Sequence, residues 1–559
     1  MLGRIEARLR RLRRNLSRSV WLARLLRLPV SEGAPTRPGL ILVQIDGLAR
    51  PELERALERG ELPFLQRLLG REHYRLRSLY SGLPSTTPAV QAELFYGVPG
   101  AVPAFAFRDP ATHGIVRMFE PEVAARVEDW LAEHGGAALL DGGSAYADNF
   151  TGGAAEAHFC PSSMGWGPTL RAANPLALIA FLLVNLYSFL RVGVLLVLEL
   201  SLALADAVRG LIHGQDLVKE LKFIPTRVGI SILLRELCVI GGKIDVARGL
   251  PIIHINFLGY DEQSHRRGPR SLFAHWTLKG IDDAIVRLWR AAQRSPWRHY
   301  ELWVYSDHGQ SAARSYPQLQ GYGLEAAVAA AFGTLDADSP GVRAPGAMSE
   351  QTQRVRFLGG ERFQRLFAVL GINGTDDAAE PPRVAALGPV AHVYAPRELS
   401  ATERDTIAHE LAHTHRVPIV LTRDAPGTLR AESVDGVFRL PDDAAVLFGA
   451  HHPFLASLAT DLVRLCEHPA AGDFVLLGWR DGAVPLSFAV ENGATPASRR
   501  RRRTASACYR RTSCCRCASS ATCVRWICAR RRCITCSVRT GRRPPHRAAP
   551  PRRPRTPCG

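Results

Sequence analysis

The chain has 559 residues, 46% of them hydrophobic, which is enough for one large α/β domain with insertions or for two or three smaller domains. Its formal charge of +19 would suggest an acidic partner, but residues 495–559 hold 19 Arg and no Asp, Glu or Lys, so residues 1–494 carry no net formal charge. Only Cys160, Cys238 and Cys466 precede that tail, which excludes a disulfide framework in the body of the chain.

Residues 1–30 are predicted to form a basic amphipathic helix. Nine Arg and one Glu in residues 1–28 alternate with apolar residues at roughly helical spacing. Such a helix suits an anionic membrane surface, and it suits a solvated helix without a membrane role equally well. The segment lacks the uninterrupted apolar core and the cleavage site of a signal peptide.

Residues 38–174 and 214–494 are predicted to form the two parts of one α/β domain. Short apolar runs alternate there with helical stretches, and two late strands are expected to form a hairpin. Buried strands that alternate with helices predict an α/β fold with a mostly parallel central sheet and helices on both faces. The predicted elements are strands at Leu40–Ile45, Arg75–Tyr80, Ile252–Phe257, Glu301–Tyr305, Phe474–Leu477 and Leu486–Val490, and helices at Pro51–Leu69 and Ser271–Ala292.

Residues 175–213 are predicted to be an apolar helical insertion. Leu176–Leu204 is the most apolar stretch of the chain, and Arg191 divides it into runs that are each too short for a single membrane span. We expect a pair of helices in or against a bilayer surface, with a membrane span and a buried soluble insertion as alternatives. The expected location is therefore membrane-associated, or otherwise cytoplasmic.

Polar residues with metal-ligand chemistry follow the predicted strands. Asp46 and Asp307 each come directly after an apolar run, where a parallel sheet collects its ligands, although either Asp alone could be a helix cap. Asp261 and His265 are four residues apart, and His308 is adjacent to Asp307. Carboxylate oxygen and imidazole nitrogen together suit Zn²⁺ or a related divalent ion. Five such ligands are about right for two ions that share a substrate oxygen.

A hydroxyl cluster precedes the next predicted helix. Ser85, Thr86 and Thr87 lie directly before Pro88, a residue favoured at the first position of a helix. The helix dipole and a metal ion could together stabilise an alkoxide at Thr87, which makes this residue a candidate nucleophile. All three hydroxyls could instead be plain helix caps.

Four motifs in order resemble those of the alkaline phosphatase superfamily, most closely its type I phosphodiesterase and nucleotide pyrophosphatase branch. The similarity spans about residues 38–320 and, more loosely, extends to 494. It implies an alkaline phosphatase-like fold and a metal-dependent phosphodiesterase or phosphatase. The motifs are Leu42-Val-Gln-Ile-Asp-Gly47, Pro84-Ser-Thr-Thr-Pro88, Tyr260-Asp-Glu-Gln-Ser-His265 and Tyr305-Ser-Asp-His-Gly309.

The resemblance also implies roles for the individual residues. Thr87 would be the catalytic nucleophile and form a phospho-threonine intermediate. The cofactors would be two divalent metal ions, Zn²⁺ in the first place, with Mn²⁺ or Mg²⁺ as alternatives. One ion would be bound by Asp46, Thr87, Asp307 and His308, and the other by Asp261 and His265.

A substrate-binding clamp for the phosphoester is expected as well, and Asn149 and Arg108 are its candidates. A membrane surface is a second expected partner. Nucleic acid is expected only if the basic tail is genuine, and the sequence leaves the oligomeric state open.

The sequence departs from the family pattern near residue 494, at the end of the predicted α/β domain. The second metal normally gains a late His, but here Leu486–Val490 runs into Glu491-Asn-Gly-Ala-Thr-Pro496. His451 or His452 could substitute for that ligand. The change in composition follows at once, and residues 495–559 are predicted to be disordered. One hypothesis is a coding sequence read out of frame, and the alternatives are a genuine basic tail or a cysteine-rich metal module.

Two other functions remain open. His409-Glu-Leu-Ala-His413 matches the HExxH pattern of zinc metalloproteases, on a predicted helix at about 402–414, although no third ligand is evident from the sequence. A surface helix is the alternative explanation of that pattern. The third function is that of a non-catalytic, membrane-surface relative that keeps the fold without full metal occupancy.

Overall fold

The computed structural model describes residues 18–30, 37–110, 112–161, 179, 182–212, 229–333, 383–481, 485–489, 493–494 and 504–510. Residues 1–17 of the predicted basic helix and most of the tail at 495–559 lie outside this range. The boundaries predicted at 174 and 213 lie outside it too.

A seven-stranded sheet forms the centre of the molecule, in the order β2-β19-β8-β1-β7-β5-β6. Neighbours are parallel from β8 to β6, and β19 pairs antiparallel with both β2 and β8. The predicted α/β class with a mostly parallel sheet is therefore confirmed. The strands are β1 (Pro38–Ile45), β2 (Tyr74–Tyr80), β5 (Ser144–Tyr146), β6 (Glu156–His158), β7 (Ile252–Phe257), β8 (His299–Tyr305) and β19 (Thr504–Arg510).

Helices cover both faces of this sheet because its strands are apolar on both sides. Ile41, Val43 and Ile45 of β1 pack into one core, and Leu42 packs into the other. The first core is covered by α2 (Arg50–Glu58), α3 (Pro63–Arg71), α7 (Arg235–Arg248) and α9 (Leu272–Ala292), and the second by α4 (Thr87–Tyr96) and α5 (Pro121–His134).

The strand register places the carboxyl ends of three strands side by side. Gln44 of β1 is paired with Asn256 of β7 and with Tyr305 of β8. The residues that follow β1 and β8, beginning with Asp46 and Ser306, therefore leave the sheet at the same edge.

A second, antiparallel sheet was not predicted from the sequence. Its order is β11-β12-β16-β13-β14-β15, and helices pack against it. Its strands are β11 (Arg383–Leu387), β12 (Val390–Tyr394), β13 (Ile419–Arg423), β14 (Leu429–Ser433), β15 (Gly436–Leu440) and β16 (Phe474–Leu477). The helices of this part are α10 (Tyr316–Gln320), α11 (Leu324–Gly333), α12 (Ala401–His413), α13 (Ala444–Phe448) and α14 (Leu455–Glu467).

Three short pairs of strands complete the sheets. They are β3 (Ala106–Arg108) with β4 (Ile115–Arg117), β9 (Ser311–Ala312) with β18 (Gly493–Ala494), and β10 (Arg314–Ser315) with β17 (Leu486–Ser487). The predicted late hairpin is wrong, because β16 lies between β12 and β13 whereas β17 pairs with β10.

Two predicted helical regions need correction. The single helix expected at Pro51–Leu69 is two helices, because Gly60 adopts a positive φ of 67° and Pro63 begins the second helix. The loop expected before α9 contains a further helix, α8 (Gly259–Arg267), which packs on α9.

The apolar insertion also differs from its prediction. Helix α6 (Leu186–Ile212) continues through Arg191, whose guanidinium pairs with Asp283 across 2.7 Å, so the expected division at Arg191 is wrong. Among the helices of the described residues, none combines the length and the apolar character needed to cross a membrane. A π-helix at Gly229–Leu234 leads into α7.

The two ends of the chain contribute one described element each. Helix α1 (Arg18–Leu25) packs against α7. Strand β19 lies within the stretch predicted to be disordered, so that prediction is wrong for Thr504–Arg510.

Candidate metal centre

Four side-chain atoms meet at the carboxyl edge of the central sheet. Asp46 Oδ1 lies 3.2 Å from His308 Nε2 and 3.3 Å from Thr87 Oγ1. His308 Nε2 lies 3.4 Å from Thr87 Oγ1 and 3.6 Å from Asp307 Oδ2. Ligand atoms around a tetrahedral zinc ion are about 3.3 Å apart, given bonds of about 2.0–2.2 Å. The spacing therefore fits a single ion, and all four residues are buried.

The local fold explains why these residues converge. Asp46 directly follows β1, and Asp307 and His308 follow β8, which is parallel to β1. Thr87 is the first residue of α4, with Pro88 next to it, so the positive end of the helix dipole faces the centre. The Ser306 hydroxyl donates to the carbonyl of His308 and accepts from the backbone N–H of Leu48, which ties the two loops together.

The charges of the centre favour a cation. Among the described residues, neither carboxylate oxygen of Asp307 has a hydrogen-bond donor. Burial and the neighbouring Asp46 raise the pKa of Asp307 to about 7. Burial lowers the pKa of His308, but the carboxylates of Asp307, Asp261 and Asp46 outweigh it and raise the pKa to about 9. Two buried carboxylates, Asp46 and Asp307, share one imidazole here, and a cation would offset their repulsion, so the residues present fit a metal ion.

Asp261 and His265 form a second, smaller group on α8. They lie one helical turn apart, with 3.2 Å between Asp261 Oδ2 and His265 Nε2. Burial alone would raise the pKa of Asp261, but His265 and His308 hold it below its usual value. Within the described parts of the chain, no third His, Cys, Asp or Glu completes this pair, and neither His451 nor His452 joins it.

Two residues that the sequence did not single out shape this smaller group. Gln310 Nε2 donates to Asp261 Oδ1 across 2.6 Å and lies 2.8 Å from His265 Nε2. Gly47 has a positive φ of 72°, and a Cβ atom there would lie 2.2 Å from Asp261 Oδ1. Glycine at 47 therefore lets the Asp261 carboxylate approach the loop that carries Asp46.

The last residues of the predicted α/β domain lie beside the helix that carries Asp261 and His265. Strand β18 packs against α8, and its residues Gly493 and Ala494 pair with Ala312 and Ser311. The family's late His is expected directly after this point of the sequence. The sequence therefore departs from the family pattern at a point next to Asp261 and His265, the group that has two candidate ligands.

A closed ring of hydrogen bonds joins helix α4 to the strands next to the metal centre. Gln91 Nε2 donates to Gln44 Oε1 and to Asp148 Oδ1, at 3.2 and 2.9 Å. His254 bridges Asp148 Oδ2 at 2.8 Å and the Tyr305 hydroxyl at 2.7 Å. Tyr305 closes the ring by donating to Gln44 Oε1 at 3.1 Å. Gln91 is one turn beyond Thr87 on α4, so the ring fixes that helix to three strands of the sheet.

Sequence reasoning missed this ring, although one signal was present. His254 and Asn256 interrupt the apolar strand β7, and a buried polar residue in a strand needs a partner. Asn256 Nδ2 donates to Asp46 Oδ2 across 3.2 Å and so orients a residue of the metal centre.

The two predicted substrate-binding residues have other described contacts. The backbone N–H of Asn149 donates to Gln91 Oε1, and its side-chain amide donates to the carbonyl of Met118. The Arg108 guanidinium donates to the carbonyl of His113. Their role in substrate binding stays a prediction.

The HExxH pattern lies far along the chain, on α12. His409 and His413 face Glu432 of β14, and ligand atoms of the three lie within 4.8 Å of one another. Glu432 was missed because it lies on a separate strand.

Solved structures provide the comparison with known proteins. Phosphonoacetate hydrolase from Sinorhizobium meliloti, in complex with phosphonoacetate, is 15% identical, with a TM-score of 0.42 over 87% of this chain and 92% of that chain. An inactive variant of murine ectonucleotide pyrophosphatase/phosphodiesterase 5, in complex with AMP, is 10% identical, with a TM-score of 0.40 over 84% of this chain and 88% of that chain.

No protein-family model matches the chain, and no curated protein matches it either.

Proposed function

We propose that the chain is a phosphoric ester hydrolase, a metal-dependent phosphodiesterase or phosphatase that acts through a phospho-threonine at Thr87. The observation that carries this proposal is the position of Thr87 Oγ1, which is 3.3 Å from Asp46 Oδ1 and 3.4 Å from His308 Nε2. A buried hydroxyl at a helix N-terminus and among metal ligands is placed to act as a nucleophile.

Asp46, Thr87, Asp307 and His308 would hold one divalent ion, and Asp261 and His265 would contribute to a second. The mixed oxygen and nitrogen donors favour Zn²⁺, with Mn²⁺ or Mg²⁺ as alternatives. When bound, such ions lower the pKa of the attacking hydroxyl and of water and neutralise charge on the phosphoryl group.

The chain's own residues carry the covalent chemistry. The Thr87 oxygen forms a bond to phosphorus, the bond from phosphorus to the leaving-group oxygen breaks, and the proton of the Thr87 hydroxyl ends on that leaving oxygen. Water then forms the next bond to phosphorus, the bond to Thr87 Oγ1 breaks, and one proton of that water ends on Thr87 Oγ1. Helix α4 holds Thr87 Oγ1 in place through both steps, because the ring of Gln91, Asp148 and His254 fixes this helix.

The test compares two adjacent threonines. Thr87→Ala is expected to abolish hydrolysis of bis(p-nitrophenyl) phosphate and p-nitrophenyl phosphate. Thr86→Ala is the matched control, because Thr86 is the N-cap residue of α4 but its side chain makes no capping hydrogen bond. Unchanged turnover in the Thr87 variant would refute the proposal.

The two alternatives give different outcomes in the same assays. The metalloprotease would be favoured if Glu410→Gln abolished a peptidase activity of the chain and Asp307→Asn left that activity unchanged. Absence of both bound metal and turnover from the wild-type chain would favour the non-catalytic relative.

We also propose that the chain associates with an anionic membrane surface. Helix α6 and the turn before it expose a row of apolar residues, Leu183, Tyr187, Leu190, Val194 and Val197, each more than 60% exposed. Helix α1 belongs to the same packed cluster and exposes Arg18, Trp21 and Arg24. Apolar residues beside Arg and Trp suit the boundary between lipid headgroups and acyl chains.

A further inference from the structure

We propose that His409, His413 and Glu432 form a second metal site, separate from the centre at Asp46, for a divalent ion of the zinc type. The two His come from one face of α12, and Glu432 comes from β14, which packs against that helix. We refer to these three residues as the α12–β14 site. The proposal assigns metal binding to it and no peptidase activity.

The distances are compatible with ligands of one metal ion, and the shorter one is also a hydrogen bond between His409 and Glu432. Glu432 Oε1 lies 3.1 Å from His409 Nδ1 and 3.7 Å from His413 Nε2. The second distance is too long for a hydrogen bond, so His413 gains little from Glu432 alone. Both distances are close to the separation of about 3.3 Å between ligand atoms of a tetrahedral zinc ion.

The two imidazoles are arranged as a pair. Their centroids are 4.1 Å apart and their planes differ by 24°. Ligands at positions i and i+4 of a helix lie on the same face, which suits binding of one ion.

Neighbouring charges hold Glu432 in place. Its Oε2 accepts from Arg430 Nη2 at 2.8 Å, and Arg430 Nε pairs with Asp405 of α12 at 3.1 Å. Glu432, Arg430 and Asp405 together carry one negative charge, which favours a cation. Such second contacts orient a carboxylate ligand and commonly change metal affinity by about 10–100-fold.

The fourth position of this site is open to solvent. The Glu432 side chain is 4% exposed, but those of His409 and His413 are 62% and 35% exposed. Water or an external ligand can therefore complete a tetrahedral ion. Because its ligands come from α12 and β14, a bound ion would link the two and stabilise the antiparallel sheet.

The test is the zinc content of the full chain, measured by mass spectrometry after equilibration with ZnCl₂ and removal of excess metal. His409→Ala and Glu432→Gln are each expected to hold one zinc fewer per chain than the wild type. His409 is exposed, so its replacement leaves the packing of α12 intact. Glu410→Gln on the same helix and the exposed His451→Ala are the controls, and both should retain the wild-type content.

A stability measurement provides the second readout. Zinc should raise the Tm of the wild type by more than that of His409→Ala, each measured against the same protein in EDTA, where the variant lacks only the contact of His409 with Glu432. Asp307→Asn affects only the central site and should leave the zinc of the α12–β14 site bound. Equal zinc content in the wild type, His409→Ala and Glu432→Gln would overturn the proposal and leave an ordinary His–Glu ion pair.

Discussion

Gln310 donates a hydrogen bond from Nε2 to Oδ1 of Asp261 across 2.6 Å, and the same nitrogen lies 2.8 Å from His265 Nε2. An amide nitrogen thus contacts both residues proposed to hold the second metal ion. The Nε2 group offers a donor where a metal ligand must offer a lone pair. This contact suggests that residue 310 limits the metal affinity of the Asp261 and His265 pair.

Gln310→Glu should strengthen metal binding at this pair. The new carboxylate supplies a third ligand beside Asp261, so the chain should take up more zinc at a given free concentration. Without metal, the two carboxylates repel each other and a hydrogen bond is lost, which should lower the free energy of unfolding by about 1–3 kcal/mol. Zinc titration and urea unfolding in EDTA check both effects. Gln310→Ala is the control, and equal zinc affinity in all three proteins would contradict the prediction.

Gly47→Ala should weaken the same pair for a different reason. A Cβ atom at 47 would lie 2.2 Å from Asp261 Oδ1, so the carboxylate or the loop must move. We expect a loss of about 1–3 kcal/mol of stability together with reduced metal binding at Asp261 and His265. Gly60→Ala is the matched control, because Gly60 has a similar φ of 67° and nothing lies within 4 Å of its added Cβ. Equal metal binding by the two variants would exclude the proposed contact.

The sequence was most informative where local signals and sheet geometry agree. Asp46 and Asp307 each follow an apolar strand, and parallel strands end at one edge, so their meeting could be predicted. Thr87 could be placed at a helix start because Pro88 follows it. The structure brings these residues and His308 together as one group, with Asp261 and His265 as a second group of two.

The remainder depends on contacts that are distant in sequence. Helix α8 has a polar sequence without an apolar repeat, and its packing on α9 and β18 was not visible in advance. The antiparallel sheet joins strands as far apart as β12 and β16, with three helices and three other strands between them in the chain. Glu432 faces His409 for the same reason, since β14 reaches α12 only through tertiary packing.

The contribution of Asp307 and His308 to the stability of the metal-free chain should fall as the pH rises. The pKa of Asp307 is raised from 3.8 to about 7, so the folded state binds this proton more tightly than the unfolded state. The pKa of His308 is raised from 6.5 to about 9, so its stabilising contribution is complete below pH 6.5 and is lost as the pH passes 9. Both groups therefore lower stability between about pH 4 and 9, by an amount on the order of a few kcal/mol.

Zinc should reverse this trend, because metal binding requires the deprotonated ligands. Urea unfolding at several pH values, in EDTA and with zinc, measures both effects. Asp307→Asn should remove the decrease between pH 4 and 7 and reduce the decrease near pH 9, because the Asp307 carboxylate is the largest of the charges that raise the pKa of His308. An equal change in stability from pH 4 to 7 in the metal-free wild type and in Asp307→Asn would contradict the raised pKa of Asp307.

The hydrogen-bond ring that contains Gln91, Asp148 and His254 predicts that a change in it lowers both the stability of the chain and its turnover. His254→Phe removes the contacts of the ring with Asp148 and Tyr305, and leaves a buried carboxylate without its main partner. We expect a loss of about 3–5 kcal/mol of stability and a lower kcat, because Gln91 and therefore α4 are less firmly held. His392→Phe is the control, since His392 is buried in the antiparallel sheet, where it accepts from the Gly472 N–H. A similar effect of both changes on kcat would show that the ring does not position Thr87.

The exposed face of α6 gives the last prediction. Val194 is 69% exposed in the apolar row, so Val194→Glu costs no packing but places a charge where we propose lipid contact. Binding to phosphatidylcholine vesicles that contain phosphatidylserine should weaken at least about tenfold, since burying a charge at the membrane is costly. Val446→Glu is the matched control, because Val446 is 65% exposed on α13, in the part of the chain built on the antiparallel sheet. Co-sedimentation measures both, and wild-type binding by Val194→Glu would remove α6 from the membrane contact.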